Sequence, residues 1–143
     1  MKKNTKDLNV YSETEIPGTA SSEQEFDKLL RNHHLAIQTV TGIVMLKYSD
    51  ILLFEYINTH KWQVRLADDK TFPLRPSVTS RDILSILPAF VQINQNCIIN
   101  LTHLTLIENK TLKCLFDVPY LGSINIEISP LYYKKMKENL NIL

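Results

Sequence analysis

With 143 residues, 44% of them hydrophobic, the chain has material for one domain whose core needs neither disulfides nor a metal to hold it. Sixteen Lys and Arg face fifteen Asp and Glu, a formal net charge of +1, so total charge does not announce a nucleic-acid partner. Three glycines exclude a glycine-rich phosphate loop, and no run approaches the ~18 uninterrupted apolar residues of a membrane-spanning helix.

The start Met1-Lys2-Lys3 runs into polar residues and not into the apolar core of a signal peptide, so the expected location is the cytoplasm. Residues 1–22 are mostly polar, with Pro17 and Gly18 among them. They bury too little to offset the entropy of ordering, which predicts a flexible tail. Ser22 and Glu25 have capping-box spacing, and Phe26, Leu29 and Leu30 then share a face; a short helix is predicted over 23–33. The main domain is expected over 34–143.

From His34 the apolar period changes from helical to alternating. Residues 35–40 and 43–48, parted by Gly42, read as paired strands. Asp50 opens the run Ile51-Leu52-Leu53-Phe54, which reads as a strand covered on both faces and as the centre of the core. The loop Asn58-Thr59-His60-Lys61 leads to a strand with Trp62, Val64 and Leu66 inward and Gln63 and Arg65 outward. Asp68-Asp69-Lys70 then turns the chain into 71–75, an edge strand because Pro73 has no amide hydrogen to donate. Helical period returns over 77–87, where Thr79 can cap, Asp82 suits the positive end, and Ile83, Leu84 and Leu87 form a stripe that Pro88 ends.

Beyond that helix, residues 90–93, the polar knot Asn94-Gln95-Asn96, and Cys97-Ile98-Ile99 follow in the order apolar, polar, apolar. Further strands are predicted over 104–107, 112–116 and 123–128, with Asn109-Lys110 turning between the first two. Ser129 as cap and Pro130 at the first helical position begin a closing helix whose Tyr132, Met136 and Leu140 lie four apart. Cys97 and Cys114 sit inside apolar runs and read more readily as two buried thiols than as a disulfide, although spacing alone leaves a bridge open. His33, His34, His60 and His103 are not spaced with Cys or carboxylates as metal ligands, and no nucleophile and base stand out. Neither metal, cofactor, small-molecule substrate nor catalysis is expected.

Three stretches together carry a resemblance. Phe90-Val91-Gln92-Ile93-Asn94-Gln95-Asn96-Cys97-Ile98-Ile99-Asn100 resembles the LytTR family's stretch of aromatic, x, Arg, x, His, Arg or Asn, Ser, Tyr, hydrophobic, Val, Asn. Asp50-Ile51-Leu52-Leu53-Phe54-Glu55 looks like that family's acid-led strand, and Ile128-Ser129 matches its hydrophobic residue and Ser before the last helix. The resemblance covers roughly residues 35–141. It implies a mostly β, LytTR-like fold of short, mainly antiparallel sheets with a short mid-chain helix and a C-terminal helix. It also implies a bacterial transcription regulator without a receiver domain that binds double-stranded DNA through loops entering the major groove. Relatives of this layout suggest a homodimer on repeated half-sites and, in some cases, restraint by a membrane protein partner.

The resemblance marks three places for DNA contact. In the polar knot the family's contacting positions fall on Asn94 and Gln95, with Asn96 beside them; carboxamides can pair bidentately with adenine, and the same residues suit a turn that needs polar surface. In the hairpin loop the candidates are His60 and Lys61, with Arg65 and Arg75 on neighbouring strands as phosphate partners. At the start of the last helix the family commonly has Arg where this chain has Pro130 and Leu131, neither of which donates from its side chain, so Lys134 and Lys135 are left to neutralise phosphate. The rival reading is a LytTR-like protein-interaction module that has lost DNA binding. It draws on the near-neutral charge and on that missing Arg.

Overall fold

The structure, a computed structural model, describes residue 24 and residues 33–57, 61–118 and 126–143. The tail expected over 1–22 therefore lies outside the described residues, as do most of the helix expected over 23–33, the loop residue His60, and the start of the strand expected over 123–128.

Alternating sequence becomes antiparallel pairing. His34–Gln38 (β1) and Ile43–Lys47 (β2) form a two-stranded ribbon. Its turn needs Gly42, whose φ of 151° a side chain would rarely tolerate. A 3-10 turn, Tyr48–Asp50, leads into Ile51–Ile57 (β3), followed by Lys61–Leu66 (β4) and Thr71–Pro73 (β5). After the helix Ser80–Leu84 (α1) come Phe90–Asn94 (β6) and Cys97–Asn100 (β7), then a second ribbon, Leu104–Ile107 (β8) with Cys114–Phe116 (β9), and last Pro130–Glu138 (α2).

Strands β3 to β7 make one five-stranded antiparallel sheet in the order β5-β4-β3-β7-β6. Central strand β3 is buried on both faces, with Ile51, Leu52 and Phe54 at 0% and Leu53 at 2% exposure. Phe54, Trp62, Val64 and Ile98 face the β1–β2 ribbon and Ile83 of α1 in one core. Leu53, Ile93 and Ile99 face Cys114, Ile128 and Met136 of α2 in a second. A register shift between Ile51 and Leu53 lets the adjacent Leu52 and Leu53 both enter this second core. Pro73 sits in β5 at the sheet edge, where its missing N–H leaves no ladder bond unmade.

Asn100, the one polar residue buried among the described residues, ties the sheet to the chain before it. Its Nδ2 donates to the carbonyls of Tyr48 (3.1 Å) and Ile51 (2.8 Å), and its Oδ1 accepts from Thr102 N (3.1 Å) and Thr102 Oγ1 (2.8 Å). The His103 ring links the same region to the β9 end, with Nδ1 2.8 Å from Asp117 Oδ1 and Nε2 donating to Ser49 O at 2.7 Å.

Three expectations need correction, and a fourth, the strand over 123–128, is described only from residue 126. The mid-chain helix spans Ser80–Leu84 and not 77–87, because Ser85 Oγ turns back to Asp82 O at 2.7 Å and the chain enters turns ahead of Pro88. Its start is as expected: Thr79 caps Asp82 N, and Asp82 returns the bond to Thr79 N, which holds the Asp82 carboxyl below its ordinary pKa. Pairing in β9 begins at Cys114 and not at residue 112, since Leu112 takes φ 57° to close a turn in which its N–H donates to Glu108 O. Ile126 and Ile128 are buried about an exposed Glu127, but the described pairing there is the single bridge Lys113 to Glu127. Leu140 lies past the end of α2 and is 39% exposed, so the buried position of that stripe is Met136.

Candidate nucleic-acid interface

Antiparallel order decides which turns share an end of the sheet. The β3 to β4 connection and the β6–β7 hairpin leave from the same end, and Tyr56 N donates to Asn96 O (2.8 Å) between them. Two bonds bring the start of α2 to that end as well: Ser129 N to Ile93 O (2.8 Å) and Asn94 Nδ2 to Glu127 O (3.1 Å). Leu74 N donates to Trp62 O (2.8 Å), which sets Arg75 beside Lys61 at the outer edge. The hairpin, the start of β4 at Lys61 and the start of α2 thus come together, with α2 against the β6 edge and Arg75 on the opposite flank; His60 lies outside the described residues.

The side chains at this end are not equivalent. Asn94 is engaged in structure: besides Glu127 O it holds Asn96 N through Oδ1 at 2.8 Å, and so braces the hairpin against the segment before α2. Gln95 is exposed and makes no hydrogen bond to a described residue. Asn96 is exposed too, although both its backbone groups are paired. Lys61, the first residue of β4, is half-buried opposite Ile57, and Arg75 is exposed.

Arg65 stands apart from the rest. It lies down the strand opposite Leu53, its Nε and Nη2 at 3.0 and 2.8 Å from Glu55 Oε2, its Nη1 paired with Asp69. Gln63 Nε2 donates to the same Glu55 oxygen at 2.7 Å. Burial alone would lower the Arg65 pKa, but the hydrogen bonds and charges of Glu55 and Asp69 outweigh it and raise the pKa. A phosphate would have to compete with two carboxylates for this guanidinium. Reading Arg65 as an outward residue of a strand missed both partners, of which Asp69, four residues on in the turn, was the nearer signal.

Helix α2 buries Met136, with Tyr132 and Tyr133 half-covered, and turns Leu131, Lys134 and Lys135 outward. Lys135 Nζ lies 5.5 Å from the centre of the Tyr132 ring and Lys137 Nζ 4.6 Å from that of Tyr133, so each ammonium sits against an aromatic ring. Leu131 is 63% exposed at the leading turn. Glu127 is exposed beside the hairpin and brings an acid to this end.

Elsewhere, Cys97 and Cys114 are free thiols, and burial pushes them from an ordinary 9.0 to about 12 and about 11. Among the described residues no group of three His, Cys, Asp or Glu is placed to hold a metal, and no helix is long and apolar enough to cross a membrane. Arg75 and Asp82 also border a cavity of about 360 Å³ between the β1–β2 ribbon and α1.

The LytTr DNA-binding domain family matches this chain over residues 41–141. A solved structure described as the LytTr DNA-binding domain of a methyl-accepting/DNA response regulator from Bacillus cereus is similar in fold, with a TM-score of 0.63 at 16% sequence identity over 77% of this chain and 98% of that one. Among curated proteins none matches this chain.

Proposed function

From the premise that the chain belongs to the LytTr DNA-binding domain family, we propose that it is a sequence-specific transcription regulator of the cytoplasm, reading the major groove of duplex DNA with the β6–β7 hairpin and its two flanking segments. The observation that carries this reading is the convergence of hairpin, β4 start and α2 start on one end of the sheet. Lys61 and Arg75 stand on one flank of that end and Lys134 and Lys135 on the other, so cations bracket a polar centre. That is the order a groove about 12 Å wide requires: base edges in the middle, phosphates on both sides. We favour two chains on repeated half-sites, restrained by a membrane partner, which co-sedimentation with membranes would detect.

Fluorescence anisotropy with labelled promoter duplexes tests the proposal. Binding at low salt that weakens steadily as salt rises supports it, because each neutralised phosphate releases a counterion. No binding at low salt ends it. A second reading, an interaction module without DNA binding, is favoured by the exposed acid Glu127 and by the pairing of Arg65 with carboxylates. A protein partner retained by both Gln95→Ala and Lys61→Ala, in a chain that binds no duplex, would select it.

A further inference from the structure

We propose that this end of the domain reads A·T pairs, the Gln95 carboxamide pairing with the major-groove edge of an adenine and the Leu131 side chain packing on the 5-methyl group of a thymine. The inference rests on the DNA-binding reading above and adds the base chemistry that this chain's own side chains select.

The argument runs through what each side chain at the reading end has left to offer. Guanine is read best by a guanidinium or ammonium presented to its O6 and N7. Arg65 is held by Glu55 and Asp69. Arg75 follows β5, three strands from β7 in the sheet order, so the ~4.8 Å strand spacing sets it about 14 Å from the hairpin strand. That exceeds the ~12 Å width of the major groove, and Arg75 reaches the bordering phosphates instead. Lys61 belongs to the same flank.

Three exposed side chains at the centre have no partner among the described residues: Gln95, Asn96, whose carboxamide offers the same chemistry one residue on, and Leu131. Gln95, at the hairpin tip, has a free carboxamide whose donor and acceptor match adenine N7 and N6–H. Leu131 leaves α2 in its leading turn, and helical side chains lean toward the N-terminus, here toward the hairpin that Asn94 and Ser129 fasten to the helix start. An exposed leucine in a polar rim gains nothing from guanine or cytosine edges; the thymine methyl is the apolar feature that the groove displays. Lys134 and Lys135 lie three and four residues on, on the same outward face, where they can hold the backbone beside that thymine.

Selection from a randomised duplex pool, followed by base analogues in the selected element, tests this directly. The expected core contains an adenine whose 7-deaza analogue binds the wild type about tenfold more weakly, with Gln95→Ala indifferent to the change. Replacing the contacted thymine by deoxyuridine removes one methyl and is expected to weaken wild-type binding about fourfold, while Leu131→Ala binds both duplexes alike. Leu131 is 63% exposed, so circular dichroism of that variant should match the wild type. A selected core of G·C pairs, or deoxyuridine tolerated at every thymine, overturns the inference while leaving DNA binding intact. So does a Leu131→Ala variant that keeps duplex affinity but loses a protein partner. Failure to bind any duplex at low salt defeats the regulator reading itself.

Discussion

Asn94 and Asn100 are six residues apart on one hairpin, and they do different work. Their surroundings separate them. Asn100 is 2% exposed with four hydrogen bonds, two given and two received, whereas Asn94 lies at the surface and joins two chain segments. Asn100→Ala would leave two carbonyls and an amide without partners near the core, and should cost about 3 kcal/mol in urea unfolding at unchanged m-value. Asn94→Ala frees the hairpin from the α2 start; a loss of about 1 kcal/mol in stability is expected together with weaker duplex binding. Gln95→Ala, with no bond to lose, should leave the unfolding midpoint in place and lower duplex affinity alone. If Gln95→Ala and Asn94→Ala changed both quantities equally, the division between bracing and reading residues would be wrong.

At the scale of elements, the alternation of Trp62, Val64 and Leu66 and the unbroken run at Ile51 were enough to foresee β4 and the doubly buried β3, because a period of two and burial on both faces leave plain marks in sequence. Caps at Thr79 and Ser129 were equally legible, since a local hydrogen bond sets them. Part of what sequence hid was non-local: Glu55 reaches Arg65 from β3, and the partner of Asn94 comes from 33 residues on. The rest was a local choice between alternatives, as when Ser85 Oγ turns back on Asp82 O and shortens α1. The thiols of β7 and β9 give this scale its own prediction. Burial raises both above 9.0, to about 12 for Cys97 and about 11 for Cys114, so between pH 9 and 11 they ionise in the unfolded chain and stay protonated in the folded one. A raised folded pKa means that the contribution is whole below pH 9 and is lost as pH rises toward the folded values. Each thiol should therefore lower stability by about 1.4 kcal/mol per pH unit over that window. Urea melts from pH 8 to 11 should show the Cys97→Ala curve falling less steeply than the wild type by about that slope.

Across the whole molecule, a net charge of +1 gives little long-range attraction for DNA, and any affinity must come from where the charges stand. Residues 35–143 hold eleven Lys and Arg against nine Asp and Glu, and two of those acids, Glu55 and Asp69, are engaged with Arg65 on the sheet face. On the proposed reading, Lys61 and Arg75 at one flank and Lys134 and Lys135 at the other are the cations that face phosphate, about four in all. Counterion release of about 0.9 per phosphate gives an expected slope of roughly −3.6 for log affinity against log salt. Lys61→Ala, Arg75→Ala, Lys134→Ala and Lys135→Ala should each make that slope shallower by about 0.9 and weaken binding to all sequences alike, since phosphate carries no base identity. Arg65→Ala is the opposing control: it removes a cation of the same formal charge, yet the slope should hold, because its charge is already met by carboxylates and exchanges no counterion with DNA. A slope that falls with Arg65→Ala as it does with Lys134→Ala would mean that DNA lies along the sheet face and not across its end, and the placement of hairpin, β4 and α2 around the groove would have to be given up.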